Sequence, residues 1–210
     1  IFSFSEIEAV LGKHPETVLV VDEAYAGFIP EFRSAIELTD RFENLIVVRS
    51  LTKCCAIPGL RLGYAITSEK IAAKLWKFQQ PWSVNALAQL AGKFLIENDI
   101  PNQLDHLEIM RLSQCLQKSI DQLDGFRVVH SQAPFFLVEM QTGIAAKLKE
   151  FLIQQHGILV RDASNFRGLN ERYFRVCTRN EEDNLLLLEA LKEYSGIHFN
   201  EVQVVTGLGR

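Results

Sequence analysis

Lys53 and the polar residues around it form the grouping in this chain that is most able to do chemistry. Ser50 and Thr52 precede the lysine, and Arg61 follows it after a Pro-Gly step that predicts a tight turn. A lysine amine can form an imine with a carbonyl compound, and hydroxyls with a guanidinium can bind a phosphate dianion. These are the groups needed to hold pyridoxal phosphate (PLP) by its aldehyde and its phosphate.

An acidic and an aromatic residue upstream complete the set of groups that PLP requires. Asp22 ends a run of apolar residues that predicts a buried strand, and Tyr25 comes three residues later. Asp22 would keep the pyridine nitrogen protonated, which makes the ring an electron sink, and the Tyr25 phenol would lie near the ring oxygen. Each residue alone is weak support, since Asp22 could cap a turn, Tyr25 could be a core residue and Lys53 a surface one. Their joint spacing predicts a PLP site.

The composition is that of an ordinary globular protein. The chain has 210 residues, of which 48% are hydrophobic and 23% charged, and its formal net charge is -4. General affinity for nucleic acid or for anionic membranes is therefore not expected. No apolar run approaches the roughly 18 residues that span a bilayer, and the first residues do not resemble a signal peptide. We expect a cytoplasmic protein with neither a nucleic-acid nor a membrane partner.

The cysteines and histidines show no metal-ligand spacing. Cys54 and Cys55 are adjacent, Cys115 and Cys177 are isolated, and the histidines are scattered. A disulfide framework or a zinc site is therefore not expected, and reduced thiols are the default. We predict no metal site.

The hydrophobic pattern predicts an α/β chain in which strands alternate with helices. Strands are predicted at Thr17–Val21, Leu45–Val48, Leu62–Thr67, Phe126–Val129, Phe135–Glu139, Ile158–Val160 and Tyr173–Cys177. The first three of these runs are typical of strands buried on both faces of a parallel sheet. Helices are predicted from Ser3 or Ser5 to about His14, from Ser68 to about Phe78, from Ser83 to about Asn98, from Pro101 to about Leu123, from Thr142 to about Gln155 and from Glu181 to Tyr194.

A break near Asn98 to Pro101 predicts two domains. Residues 1–98 would form part of a cofactor-binding large domain with three α/β/α layers, and residues 99–210 a small α+β domain. The few strands of the first part, and the lack of an initiator Met, suggest a missing amino-terminal segment.

The spacing Asp22-x-x-Tyr25, followed by Ser50-x-Thr52-Lys53 and Arg61, resembles that of the fold-type-I PLP enzymes, the aspartate aminotransferase superfamily. The resemblance runs from residue 1 to about residue 194, whereas residues 195–210 match nothing. It implies PLP as the cofactor, Lys53 as the catalytic residue and a homodimer.

Further stretches resemble the group of histidinol-phosphate aminotransferases and L-threonine-O-3-phosphate decarboxylases. These are Gly157-Ile-Leu-Val-Arg161-Asp162 and Tyr173-Phe-Arg175-Val. The resemblance implies that Arg175 binds the substrate carboxylate and that Arg161 helps to bind the substrate phosphate, as suits arginine. A structural salt bridge is the alternative role for either arginine.

Three stretches favour the decarboxylases: the lysine loop with Ala56 to Tyr64, Gln80 to Ala88, and Arg161 to Tyr173. The implied function is PLP-dependent decarboxylation of L-threonine O-3-phosphate to 1-aminopropan-2-ol O-2-phosphate in cobalamin biosynthesis. The alternative is a histidinol-phosphate aminotransferase or a related class I/II aminotransferase.

The sequence lacks two regions that complete family members carry ahead of the position that matches Ile1. Complete members carry a Gly-containing phosphate loop and an Asn-Pro-Thr-Gly region, and neither is present here. A second alternative is therefore an inactive fragment of such an enzyme.

Overall fold

The computed structural model describes residues 2–29, 31–103 and 106–207. The chain divides into two compact units, Ile1–His106 and Leu107–Arg210, and each has its own β-sheet. The elements of the first unit are α1 (Phe4–Lys13), β1 (Leu19–Asp22), β2 (Leu45–Ser50), α2 (Leu51–Cys54), β3 (Gly63–Thr67), α3 (Glu69–Phe78), α4 (Ala86–Glu97) and α5 (Ile100–Gln103). Short 3₁₀ helices occupy Ala26–Phe28, Ala35–Leu38 and Pro58–Leu60.

Helix α1 is capped by Ser3, one of the two caps that the sequence allows. The Ser3 hydroxyl accepts a hydrogen bond from the Glu6 N–H at 3.3 Å, and the Glu6 carboxylate accepts one from the Ser3 N–H at 2.7 Å. This reciprocal pair satisfies two amides that the helix leaves without partners. It fixes α1 so that Leu11 lies in the core of the first unit.

The sheet of the first unit has the order β1-β2-β3 and is mixed. β1 pairs in parallel with β2, from Leu19 opposite Leu45 to Asp22 opposite Val48. β3 pairs with β2 in the antiparallel direction, so the prediction that all three runs belong to a parallel sheet is wrong for β3. Short connections suffice for an antiparallel neighbour, and only the residues of α2 and one turn separate β2 from β3.

The prediction that β1 is buried on both faces is also wrong. Leu19 and Val21 pack against the core, whereas Val20 is 58% exposed. β1 is the edge strand of the sheet as the described residues form it. Successive side chains along a strand point to opposite faces of the sheet. Only one face of β1 is therefore covered.

The helices after β3 begin and end close to their predicted limits, with one different cap. α3 follows Ser68 as predicted. α4 is capped by Asn85 rather than by Ser83, because the Asn85 side chain accepts a hydrogen bond from the Ala88 N–H at 2.9 Å. Pro101 lies within the short helix α5, and the predicted continuation toward Leu123 crosses residues 104 and 105, which lie outside the described residues.

The second unit contains an antiparallel sheet with the order β4-β5-β7-β6. Its elements are α6 (His106–Asp121), β4 (Phe126–Val129), β5 (Phe135–Met140), α7 (Ala145–His156), β6 (Arg161–Asp162), β7 (Tyr173–Cys177) and α8 (Glu181–Gly207). Strands β4, β5 and β7 confirm the predicted runs at these positions. The core lies between one face of the sheet and the helices, where Phe136 and Phe174 meet Leu148 and Leu191.

Three boundaries of the second unit differ from their predictions, and one of them is the end of α8, which lies at Gly207 instead of Tyr194. The predicted strand Ile158–Val160 is wrong, because pairing with β7 begins only where Arg161 lies opposite Arg175. Leu159, in the segment between, is 74% exposed. α7 is preceded by Ile144 without a side-chain cap, so the predicted Thr142 cap is wrong as well. α7 ends at Gly157, whose φ of 66° is one that glycine adopts readily.

No helix in the described ranges combines the length and the apolar character needed to cross a membrane.

Candidate active site

The carboxyl ends of β1 and β2 bring the first predicted site residues to one edge of the sheet. Because these strands are parallel, Asp22 at the end of β1 and Ser50 at the end of β2 lie on the same side. The Asp22 carboxylate accepts a hydrogen bond from the Ala24 N–H at 2.9 Å, which holds the side chain in a tight local turn. Ligands of open α/β sheets bind at this edge.

Lys53 lies on the single helical turn that follows β2 directly. Its side chain is exposed, and its Nζ is 5.6 Å from the centroid of the Tyr25 ring, within the range of a cation–π contact. No salt bridge of Lys53 is found in the part of the chain that the structure describes. The structure therefore brings the predicted amine and the predicted phenol together.

The two predicted phosphate-binding hydroxyls are also close together. The Oγ of Ser50 and the Oγ1 of Thr52 are 2.8 Å apart and share a hydrogen bond. Thr52 is only 5% exposed, and Ser50 is half-buried. Each hydroxyl can donate one proton and accept two, so the pair retains capacity for a further acceptor such as a phosphate oxygen.

Arg61 returns to the end of β2 through its backbone. The Leu51 N–H donates to the Leu62 carbonyl at 3.2 Å, and Ser50 pairs with Gly63. Arg61 has a φ of 56°, and its guanidinium donates to the Pro58 carbonyl at 3.0 Å. In this structure the side chain is bound to its own turn rather than to the hydroxyl pair.

Gly63 permits this close return of the chain. A Cβ at this position would lie 2.8 Å from the Arg49 carbonyl oxygen, nearer than a real Cβ approaches backbone. The lack of a side chain therefore lets β3 begin directly beside Ser50. The requirement for glycine is local, because a Cβ at Gly59 in the preceding turn would meet nothing within 4 Å.

A buried ion pair that the sequence reasoning missed links the two strand ends. Glu23 is 4% exposed, and its carboxylate accepts hydrogen bonds from the Ser34 hydroxyl and the Ala35 N–H, both at 2.7 Å. The Arg49 guanidinium lies 2.8 Å from the same carboxylate. Glu23 adjoins Asp22 and Arg49 adjoins Ser50, so the pair fixes the neighbours of two predicted site residues. The feature of the sequence that indicates this ion pair is an acidic and a basic residue, each next to a predicted site residue at the end of a strand.

A cavity of about 560 Å³ opens beside this ion pair. Its walls include Glu23, Arg49, Ser50, Cys54 and Tyr64. Of the predicted cofactor residues, Ser50 is the one that contributes to the described lining. The cavity therefore lies next to the Lys53 group rather than around it.

The donor set of the first unit fits PLP. An exposed amine lies beside a phenol ring, two hydroxyls lie within 2.8 Å of each other on the adjoining residues, and a carboxylate stands at the same sheet edge. These groups match the aldehyde, the phosphate and the ring nitrogen of the cofactor.

The second unit places the two other predicted site residues on neighbouring strands. Arg161 on β6 lies directly opposite Arg175 on β7, and both side chains are exposed. Arg161 donates to the Asn165 side-chain oxygen at 3.2 Å, and the Arg175 guanidinium lies 5.3 Å from the Phe135 ring centroid. No carboxylate forms a salt bridge with either arginine in the described ranges. The prediction that they bind anions stays a prediction, and the geometry leaves both guanidiniums available for it.

The loop beside Arg161 is held by a carboxylate. Asp162 accepts a hydrogen bond from the Ser164 N–H at 2.9 Å. This bond, together with the Ser164 side chain, lowers the pKa of Asp162 below its usual range. The nearby Arg161 charge lowers it slightly further. Asp162 thus remains ionised and keeps the turn that follows Arg161 closed.

A separate ion cluster stabilises the other end of the same sheet. Glu139 on β5 is buried and receives hydrogen bonds from Arg127 and from Arg172, the latter at 3.0 Å. Burial alone would raise the pKa of Glu139, but the hydrogen bonds and the charges of the arginines outweigh it and lower the pKa. These arginines are neutralised, unlike Arg161 and Arg175.

Comparison with known proteins gives consistent matches over most of the chain. A family model described as aminotransferase class I and II matches residues 1–191. A threonine-phosphate decarboxylase from Salmonella typhimurium is 35% identical over 175 residues, which are 83% of this chain and 48% of the relative. Histidinol-phosphate aminotransferase 1 from Carboxydothermus hydrogenoformans is 36% identical over 176 residues, or 84% of this chain and 48% of the relative.

A solved structure shows the same fold. The crystal structure of L-threonine-O-3-phosphate decarboxylase from Porphyromonas gingivalis superposes with a TM-score of 0.87 at 34% identity, covering 92% of this chain and 60% of that one. This match confirms the predicted α/β fold class. The chain spans about half the length of the curated relatives it matches.

Proposed function

Because the chain belongs to the aminotransferase class I and II family, we propose that its reaction is the PLP-dependent decarboxylation of L-threonine O-3-phosphate. PLP is the cofactor of this family, whose members similar to this chain are decarboxylases and aminotransferases. The product would be 1-aminopropan-2-ol O-2-phosphate, as used in cobalamin biosynthesis. The observation that carries the proposal is the exposed Lys53 amine beside Tyr25 and the Ser50–Thr52 hydroxyl pair.

The residues of the first unit would hold the cofactor. PLP, when bound, supplies an electron sink for the bond that breaks at the substrate Cα. Lys53 would hold its aldehyde and later carry a proton to or from the substrate. Asp22 would keep the pyridine nitrogen protonated, and Ser50 and Thr52 would donate to the phosphate. Arg61 would leave the Pro58 carbonyl to add a charge-assisted hydrogen bond.

The arginines of the second unit would hold the substrate. Arg175 would bind the carboxylate and Arg161 the phosphate of L-threonine O-3-phosphate. Their direct opposition across β6 and β7, without salt bridges to described carboxylates, supports this role. Fixing both anions would select which Cα bond breaks. For decarboxylation that is the bond to the carboxylate, and Lys53 would return a proton to Cα.

A histidinol-phosphate aminotransferase is the second candidate. It is favoured by the relative that carries this name and is 36% identical. It would use the same residue types, because breaking the Cα–H bond instead of the bond to the carboxylate leads to transamination. The two candidates differ in whether carbon is lost from the substrate.

The test is a product assay with PLP present. L-threonine O-3-phosphate labelled in its carboxylate carbon should release labelled CO2 and leave an amine. Histidinol phosphate with 2-oxoglutarate should give no glutamate. Glutamate formation without CO2 release would establish the aminotransferase instead. An Arg175→Lys variant tests the role of Arg175. It keeps the charge but loses the bidentate geometry, so it should raise KM for the phosphorylated amino acid.

We further propose a cytoplasmic homodimer, which the family resemblance supports. Light scattering coupled to size-exclusion chromatography tests the assembly: twice the chain mass of 23.9 kDa is expected, and a monomer at all concentrations would contradict it.

A further inference from the structure

The adjacent thiols of Cys54 and Cys55 form a cluster that the proposed function does not use. Their Sγ atoms lie 3.7 Å apart, and both side chains are half-buried. Cys54 is the last residue of α2, and its thiol lies 3.5 Å from the Ser50 carbonyl oxygen as a weak donor. The helical turn that carries Lys53 and the residue that caps it therefore hold two thiols side by side.

We propose that Cys54 and Cys55 together form a binding site for a trivalent arsenical, held through both sulfurs. An arsenoxide reacts with two thiols to form two As–S bonds. The As=O bond and both S–H bonds break, and the oxygen leaves with the two protons as one water molecule. The arsenic stays trivalent and the sulfurs are not oxidised, so the step needs neither an oxidant nor a reductant.

The geometry of the pair favours a bridging atom over a disulfide. The Cα atoms of adjacent residues are about 3.8 Å apart across a trans peptide, which is shorter than the roughly 4.4–6.8 Å that disulfides span. A disulfide would also pull the sulfurs from 3.7 Å to about 2.05 Å. An arsenic atom between the sulfurs keeps them further apart than a direct bond does. It therefore demands less movement of α2.

The protonation state of Cys55 disfavours oxidation of the pair. Burial raises the pKa of the Cys55 thiol to about 11, with a further contribution from its hydrogen bond to Cys54. Cys55 is therefore protonated at neutral pH. Peroxide oxidation and thiol–disulfide exchange proceed through the thiolate and are slow at such a thiol. Condensation with an arsenoxide consumes the thiol protons in the water that it releases.

Access and ligand number agree with an arsenical rather than a metal ion. Cys54 lines the cavity of about 560 Å³ together with Ser50 and Tyr64, so a small organic arsenical can reach it. A structural zinc site needs four ligands. Within the described residues, no group of three or more His, Cys, Asp and Glu side chains could hold a metal ion. Two sulfurs, in contrast, complete the coordination of an arsenic atom that already carries an organic group.

The other cysteines provide matched controls within the chain. Cys115 on α6 and Cys177 on β7 are both exposed, and neither has a hydrogen bond to another thiol in the described ranges. They can offer an arsenical one sulfur each. An adduct through a single sulfur lacks the gain of an intramolecular second bond.

Phenylarsine oxide and intact-protein mass spectrometry test the proposal, with the full chain and without PLP. An adduct of one phenylarsine oxide per chain, less one water, should survive 2-mercaptoethanol and be removed by 2,3-dimercaptopropanol. Cys54→Ser and Cys55→Ser should each lower the 2-mercaptoethanol-resistant occupancy by about tenfold or more, because the second bond forms within one molecule. Cys115→Ser and Cys177→Ser should retain it.

Circular dichroism checks that each variant remains folded. Cys54→Ala and Cys55→Ala provide a second, independent substitution at each position. A resistant adduct that persists in Cys54→Ser or Cys55→Ser would overturn the proposal. So would an adduct on the unaltered chain that 2-mercaptoethanol removes. Because no cofactor is involved, either outcome is independent of whether Lys53 binds PLP.

Discussion

Arg161 and Arg175 lie directly opposite each other on the antiparallel strands β6 and β7. Like charges in this relationship destabilise a sheet, and no salt bridge to a carboxylate offsets the repulsion in the part of the chain that is described. The arginines at the other end of the sheet, Arg127 and Arg172, are both paired with Glu139. This pair without salt bridges is the basis of the proposed anion-binding role of the two arginines.

The first prediction concerns this pair and inorganic phosphate. Phosphate should raise the Tm of the chain. Arg161→Gln should raise the phosphate concentration needed for the same rise by about tenfold or more, because one charge-assisted hydrogen bond contributes about 1.5–3 kcal/mol. In the absence of phosphate the same variant should be at least as stable as the parent, because a repulsion is removed. Differential scanning fluorimetry measures both effects. Arg179→Gln is the control, since Arg179 is paired with Asp183, and an equal loss of the phosphate response in that variant would refute the assignment.

The second prediction concerns the buried Glu23. Glu23→Gln should lower the free energy of unfolding by about 3 kcal/mol, because it leaves a half-buried Arg49 charge without its partner. Urea denaturation followed by fluorescence measures the change. Glu37→Gln removes an exposed pair with Arg33 and should cost less than about 1 kcal/mol. Similar losses in the two variants would show that Glu23 does not fix the strand ends.

The third prediction concerns pH and Glu139. Its pKa is lower in the folded chain than the value of about 4.3 in an unfolded one. A carboxyl with a lowered folded pKa contributes stability that is complete above the unfolded value and is lost as the pH falls through the folded value. Thermal melts between pH 7 and pH 3 should therefore show a decline below about pH 4.3.

The Glu139→Gln variant isolates this contribution. It should be less stable at pH 7 and should show a shallower decline toward pH 3, because the glutamine does not titrate. Glu150→Gln is the control, since Glu150 is exposed and is bound only by Gln154 among the described side chains. A parent and a Glu139→Gln variant with parallel pH profiles would contradict the assigned pKa shift.

The fourth prediction concerns the return of the chain at Gly63. Gly63→Ala should destabilise the first unit by about 2 kcal/mol, since its Cβ would press on the Arg49 carbonyl and the backbone must shift. Gly59→Ala, four residues earlier, should be nearly neutral because the space there is open. Chemical denaturation of both variants measures the difference. A neutral Gly63→Ala would mean that β3 can move away from Ser50 without cost.

The sequence predicted the elements whose signals are local. A serine cap at the start of α1 and the strands β4, β5 and β7 follow from capping chemistry and from alternation of apolar residues. The structure confirms them and selects Ser3 over Ser5 as the cap. The family suggested by the spacing of Asp22, Tyr25 and Lys53 is confirmed by the family match. The roles of the individual site residues stay predictions.

The features that the sequence did not predict depend on tertiary contacts. The antiparallel direction of β3 follows from its pairing with β2, and an apolar run does not encode direction. The Ile158–Val160 run is as apolar as a strand, yet pairing with β7 begins at Arg161. The Glu23–Arg49 ion pair joins residues distant in sequence, so neither residue alone indicates it.

An absorption titration of the chain with PLP tests whether Lys53 holds the cofactor. We expect a visible band that saturates at one PLP per chain, a borohydride-reducible bond at Lys53, and loss of both in Lys53→Ala. Lys74→Ala, which removes an exposed lysine of α3, should behave like the parent. A saturating band that is unchanged in Lys53→Ala, or no band in the parent chain, would contradict this role of Lys53.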